Sequence, residues 1–315
     1  MQGLAVALQS QEFSVNPPFK AFATGIAKSG DGCLKTVVGV MAYLYPGDRS
    51  LDYFPCRYGT SRVLFRGPRR NLDRPYVVAL GGTETYGKFV PEPYPALIEA
   101  ATGLCMVNLG YVNAGIDLYL KDPDVLDTAA RARLAVVQIM GAQNLTNRFY
   151  TVHPRRNDRF LHASPLLRHI YRDVDFTEFS FTRHMLGALQ AVSVDRFEVL
   201  AEELRAAWVS RMKCLLASLP CKTLLLWVAS APPPSPGRRS GLTHDPLLVD
   251  AEMIAVLRAH AAHYVEVVAP PAALLSAQDG SAIAPDCACA AQGLPGPAVH
   301  RLIADQLGPE LLRLF

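Results

Sequence analysis

Three short apolar runs, each closed by glycine, constrain this chain more than any other feature. Pro75-Tyr76-Val77-Val78-Ala79-Leu80 ends at Gly81-Gly82, Met106-Val107-Asn108-Leu109 ends at Gly110, and residues 134–140 end at Gly141. A run that is apolar at every position, rather than at every second one, suits a strand covered on both faces. That situation arises in a parallel sheet packed between helices. Helical patterns follow or separate the runs at 95–102, 124–133, 195–219, 251–262 and 296–314, and two more strands read at 223–228 and 264–268. Strand and helix alternate five times, which predicts an α/β fold with three layers around a doubly wound parallel sheet.

Two stretches fall outside that alternation. Residues 1–40 lack periodicity and read as a disordered extension, so the folded domain is expected to span 41–315, starting at Met41. Residues 142–190 are polar, rich in Arg, His and aromatics, and read as an inserted arm of loop with short helices near 166–171 and 181–191. Residues 271–294 read as an alanine-rich linker.

Several function classes fall away on composition. The formal net charge of +3 is too small for a dedicated nucleic-acid binder. No stretch approaches the ~18 apolar residues of a membrane span, and the start has no basic leader. The seven cysteines are scattered and form no C-x-x-C pair. A reduced, cytoplasmic protein without a disulfide framework is therefore expected. No metal is expected either, because the histidines lack ligand spacing. Neither a Walker sequence nor G-x-G-x-x-G is present, so no nucleotide cofactor is implied.

Ligands of open parallel sheets sit beyond the carboxyl ends of the strands. Here those ends read Gly81-Gly82-Thr83-Glu84-Thr85-Tyr86-Gly87, Asn108-Leu109-Gly110-Tyr111-Val112-Asn113-Ala114-Gly115 and Gly141-Ala142-Gln143-Asn144, and His300 opens the last helix. A hydroxyl, backbone amides, a carboxamide and an imidazole are the parts of an acyl-transfer site. The four segments resemble the motifs of the SGNH (GDSL-like) hydrolases. The first matches G-D-S-x-T-x-G at Gly81, Thr85 and Gly87, with Gly82 in place of the aspartate and Thr83 in place of the serine. Gly110 resembles the oxyanion-hole glycine, Gln143 stands where G-x-N-D has its asparagine, and His300 matches D-x-x-H with Pro297 at the aspartate position.

The resemblance implies a flavodoxin-like sheet and an esterase or acyl-transfer enzyme. Thr83 would be the nucleophile and His300 the base, with Gly110 and Gln143 completing the oxyanion hole. Gly82, Glu84, Thr85 and Asn144 would line the substrate. The third triad member has no assignment. Directly after the third strand, His153, Arg155, Arg156 and Arg159 lie among aromatics and suit an anionic or glycan-like small molecule. The same residues fit a catalytically inactive relative that binds an anionic ligand in an arginine-rich cleft, or a solvated loop whose arginines pair with nearby acids. An arm that docks a protein partner is a third reading. The arginines at 57, 62, 66, 69 and 70 read as a packing segment before the first strand.

Overall fold

The computed structural model describes residues 51–235, 242–270, 273 and 293–315, all within the chain unit Gly39–Phe315. The expected extension at 1–40 and most of the 271–294 linker lie outside the described residues. Five parallel strands form the main sheet: β1 (Val77–Gly81), β2 (Met106–Gly110), β3 (Leu134–Gln138), β6 (Lys222–Ala229) and β7 (His263–Val268). Their spatial order is β2-β1-β3-β6-β7. Ranked along the chain this is 2-1-3-4-5, the flavodoxin-like order, and it places the topological switch point between β1 and β3.

Period-two alternation divides each strand between two cores. Val77, Ala79, Leu134, Val136, Leu224 and Leu226 face α2 (Tyr94–Thr102) and the last helix, α9 (Pro297–Leu314), whose Ile303, Leu307 and Leu311 are buried against them. Val78, Leu80, Ala135, Val137, Leu225 and Trp227 face the opposite core. There they meet α3 (Ile116–Leu120), α4 (Pro123–Ala130), α7 (Val194–Ala217) and α8 (Ala251–Arg258). Both faces are covered, which is why every residue of β1, β2 and β3 is buried and why these strands are apolar apart from Asn108 and the terminal Gln138.

The arm differs from the loop expected of it. Residues 150–163 form an antiparallel hairpin, β4 (Tyr150–His153) and β5 (Arg156–Ala163), followed by α5 (Pro165–Ile170), a 3-10 turn at Phe176–Glu178 and α6 (Thr182–Val192). Tyr150, Val152 and Phe160 point inward while arginines and acids alternate with them outward. This is half-buried strand chemistry, with register shifts on either side of Val152 and the Pro154-Arg155 turn between the strands. Asn157, 1% exposed, ties the hairpin to the body. Its Oδ1 accepts from the amides of Gly115 and Leu118, both at 3.0 Å, and so caps α3 in place of a local residue.

In the segment before β1, Arg66 and Arg70 pack as its sequence suggested, while Arg57, Arg62 and Arg69 are exposed. Arg66 is 5% exposed, and its guanidinium donates to the carbonyls of Tyr86, Gly87, Val90 and Pro91. Arg70 pairs with Glu99 at 3.0 Å.

Candidate functional site

Beyond the carboxyl ends of β1 and β3 the chain builds a dense polar assembly. Strand β1 leaves the sheet at Gly81 and turns at once into α1 (Thr83–Tyr86), which ends on Gly87 in the left-handed region at φ 72°. Gln138, the last residue of β3, organises this turn. Its Oε1 accepts from the amides of Gly82 (3.0 Å) and Thr85 (3.2 Å) and from the Thr85 hydroxyl (2.6 Å). With the oxygen so occupied, the Nε2 group is directed to Glu84 Oε2 at 2.7 Å. Behind Thr85, the Tyr94 hydroxyl lies 3.0 Å from Thr85 Oγ1. Gly81 is held by Tyr119, whose hydroxyl accepts from its amide and donates toward its carbonyl and that of Leu109.

Thr83 faces the loop after β2. Its Oγ1 accepts from the Asn113 amide at 2.9 Å and donates to Asn113 Oδ1 at 3.2 Å. Asn113 sits at φ 54°, a conformation asparagine tolerates better than most residues. It also reaches Asp158 of β5 through Nδ2 (3.2 Å), while its carbonyl accepts from Asn144 Nδ2 (3.0 Å). Asn144 Oδ1 in turn accepts from the Thr182 hydroxyl at 2.7 Å. One asparagine thus joins the exits of β1 and β3 to the hairpin.

The expected catalytic pair is not brought together. His300 is 0% exposed in the first turn of α9, where its Nδ1 accepts from the Tyr94 amide at 3.0 Å and its ring stacks on Tyr94. Its Nε2 has no hydrogen-bond partner among the described residues, so neither ring nitrogen meets Thr83. Burial, reinforced by the Arg66 charge, pulls the imidazole down to about 3, and the ring is neutral at physiological pH. Nor is the Gly110 amide open to an oxyanion. It donates to Asn108 Oδ1 at 2.8 Å, and the glycine is required because a Cβ there would strike the backbone of Thr85 and Tyr86. The backbone donor that meets Thr83 is Asn113.

Other expected contact residues take structural roles. The Gly82 amide is taken by Gln138, Thr85 is fully buried, and Asn144 is 6% exposed within its two bonds. His153 Nδ1 accepts the amides of Arg155 and Arg156, closing the hairpin turn, and burial lowers its pKa with help from the adjacent arginines. Gln143 folds its side chain back over Gly141, and its Oε1 is buried without a partner among the described residues.

Three expected residues remain at the rim. Arg155 is exposed at the hairpin tip, and Arg156 and Arg159 flank Asp158. Asp158 is pushed up chiefly by burial, against the Asn113 hydrogen bond and the two arginine charges. The Arg159 guanidinium also lies 4.4 Å from the Phe181 ring centre. Glu84 is partly exposed at the turn yet closely surrounded by protein, and its carboxyl is raised by burial and, more weakly, by Asp245. Asp245 pairs with Arg183 of α6 at 3.0 Å. Sequence reasoning placed Asn113 at a strand end and Asp158 among the acids beside the arginines without giving either a site role, and it missed Gln138, Arg183 and Asp245. Gln138 alone carried a signal, as a polar side chain closing an otherwise apolar buried strand.

Among the described residues no group of three or more His, Cys, Asp or Glu side chains could hold a metal ion. No helix among them is long and apolar enough to cross a membrane.

These features define a doubly wound α/β protein with a polar cluster at its topological switch point. A family model described as "Domain of unknown function (DUF6473)" matches residues 41–315, and the chain belongs to that family. No curated protein matches it. Solved structures with a similar fold include LAE5, an alpha/beta hydrolase enzyme from the metagenome of Lake Arreo, Spain. That likeness has 15% identity and TM-score 0.38, covering 76% of this chain and 96% of that one. A catalytic mutant of Axe2, an acetylxylan esterase from Geobacillus stearothermophilus, is 12% identical with TM-score 0.36, covering 75% and 94%. The lipase Lip_vut3 from a goat rumen metagenome is 12% identical with TM-score 0.34, covering 74% and 96%. Likeness at this distance assigns no activity.

Proposed function

We propose that this chain is a binding protein on an SGNH-like scaffold, holding a small anionic ligand at the switch-point rim without a Thr83–His300 hydrolytic couple. One observation carries the reading: the Thr83 hydroxyl and the His300 ring have separate partners. A serine- or threonine-type nucleophile needs a base within hydrogen-bond reach of its hydroxyl. Thr83 has instead an amide donor and a carboxamide acceptor, both from Asn113.

The anion preference rests on Arg155, Arg156 and Arg159. Arg156 and Arg159 act on Asp158, which bonds to Asn113 beside Thr83, and Arg155 is exposed at the tip of the same hairpin. Guanidinium forks match phosphate, sulfate and carboxylate oxygens.

Two assays on the purified full chain test the proposal. Nitrophenyl acetate should not be hydrolysed above the level of a Thr83→Ala, His300→Ala double variant. Inorganic phosphate or sulfate should raise the melting temperature, and Arg156→Gln with Arg159→Gln should abolish the rise. Ester hydrolysis that disappears with Thr83→Ala would return the chain to the hydrolase reading.

A further inference from the structure

Helix α7 runs for 24 residues, and its rotation about its own axis is fixed. Phe197, Leu204, Trp208 and Leu215 form a buried stripe against the sheet layer. Trp208 Nε1 also donates to the carbonyl of Met140, just beyond β3, at 2.8 Å. The face opposite that stripe is therefore set as well. From residue 199 onward it reads Val199, Glu202, Ala206, Ser210, Lys213 and Ala217. At 3.6 residues per turn these six lie within about 40° of one line along the helix, and all six are exposed. Val199 stands 52% exposed among them, a branched apolar side chain on a face that a solvated helix gives to polar groups.

The order of these residues is complementary to its own reverse. About the level of Trp208, Val199 stands opposite Ala217, Ala206 opposite Ser210 and Glu202 opposite Lys213. Each pair is matched in height to within about one residue's rise, about 1.5 Å. A two-fold axis that sets two copies of a helix antiparallel imposes this reversal. Apolar then meets apolar, small meets small where the helices cross, and each carboxylate meets an ammonium, twice over. Small side chains at the crossing allow the close approach of about 8–10 Å that packed helices need. A parallel arrangement would set Glu202 against Glu202 and Lys213 against Lys213. Glu202 is held by Arg205 through Oε1 alone, at 3.0 Å, and Lys213 has no ion-pair partner among the described residues. Asp195, earlier on the same face, falls past the end of the opposed helix.

We infer that this face of α7 is the two-fold contact of a homodimer, with a second copy of the chain lying antiparallel across it. A partner of unrelated sequence has no reason to match a pattern that reverses about one point, whereas a second copy must. Exposed ion pairs add little affinity, but they fix direction and exclude wrong pairings. The affinity comes from Val199, Ala206 and Ala217 leaving water. The contact is about 27 Å long, at the small end of specific interfaces, so a dimer with a micromolar dissociation constant is expected. None of the rim residues takes part, and the dimer stands or falls independently of the anion reading.

Sedimentation equilibrium of the purified full chain across the micromolar range tests it, with a reversible monomer–dimer equilibrium as the expected result. Ala206→Arg places a long charged side chain at the crossing and should weaken the dimer at least about tenfold. Glu202→Lys and, separately, Lys213→Glu each set like charges together and should weaken it at least about fivefold. The two substitutions combined restore opposite charges with the signs exchanged, and should return the dissociation constant to within about twofold of the native value. Damage to the helix would not be repaired in this way. Circular dichroism and melting temperature of each variant, taken at a concentration where the native chain is monomeric, keep folding apart from association. A chain that stays monomeric throughout would overturn the inference. So would a dimer indifferent to Ala206→Arg, or a combined variant no tighter than its singles.

Discussion

Lowering the pH should destabilise this protein through a single imidazole, and the size of the effect follows from where His300 sits. In the unfolded chain the ring takes up its proton near the ordinary 6.5, whereas in the folded chain burial and the Arg66 charge delay that to about 3. Between these values the unfolded state binds one proton more than the folded state. The contribution is therefore complete above pH 6.5 and falls as pH drops, by about 1.4 kcal/mol per unit. From pH 7 to pH 4.5 it comes to about 2.7 kcal/mol, and the full shift amounts to about 5 kcal/mol. The comparison to make is with His300→Asn, which leaves an acceptor for the Tyr94 amide but cannot be protonated. Urea denaturation at pH 7, 5.5 and 4.5 gives the unfolding free energy of each protein. The variant should be the less stable at pH 7, because a ring is lost from a packed site, by about 1–3 kcal/mol. Its loss between pH 7 and 4.5 should be smaller than that of the native chain by the worked amount. Raised carboxyls such as Glu84 and Asp158 titrate with the opposite sign, and they cancel in the difference because both proteins contain them. Parallel pH profiles for the two proteins would refute the assignment of His300 as a neutral, acid-sensitive core residue.

Three further substitutions test other parts of the structure. Gln138→Leu strips acceptors from the Gly82 and Thr85 amides and from the Thr85 hydroxyl, and should cost about 3 kcal/mol or more in chemical denaturation. Asn157→Ala should cost about 1–2 kcal/mol, and amide exchange should speed up at Gly115 and Leu118 before it does so in the sheet. Gly110→Ala forces a methyl group into the backbone of α1 and should cost about 3 kcal/mol, read as a lower melting temperature.

The fold was legible because burial on both faces leaves a plain mark. Strands β1 and β3 are apolar at consecutive positions up to their polar or glycine ends, and nothing but a covered sheet needs that. The hairpin was obscured by its own chemistry. Arg156, Asp158 and Arg159 swamp the alternation of Val152 and Phe160, and composition was read where period should have been. At the site, spacing identified which strand ends carry polar residues but not which atoms meet. Gly110 closes β2 and Asn113 lies three residues on in the loop that follows, and only the backbone path shows that the second presents its amide to Thr83. His300 illustrates the opposite error. Its spacing from Ile303, Leu307 and Leu311 puts it on the apolar stripe of α9, a pattern that outweighed the motif match and was present in the sequence throughout.

The cap that Asn157 places on α3 has a consequence for how the chain assembles. The Gly115 amide finds its acceptor 42 residues further along, and the Leu118 amide finds the same acceptor 39 residues along. A helix start of this kind is incomplete while the chain is being made and closes only when the hairpin has formed and come back to it. Contacts of such separation carry a closure cost that local ones do not. The β2–α3 junction, and with it the asparagine that positions Thr83, should therefore be the last part of the rim to set during folding and the first to loosen under strain.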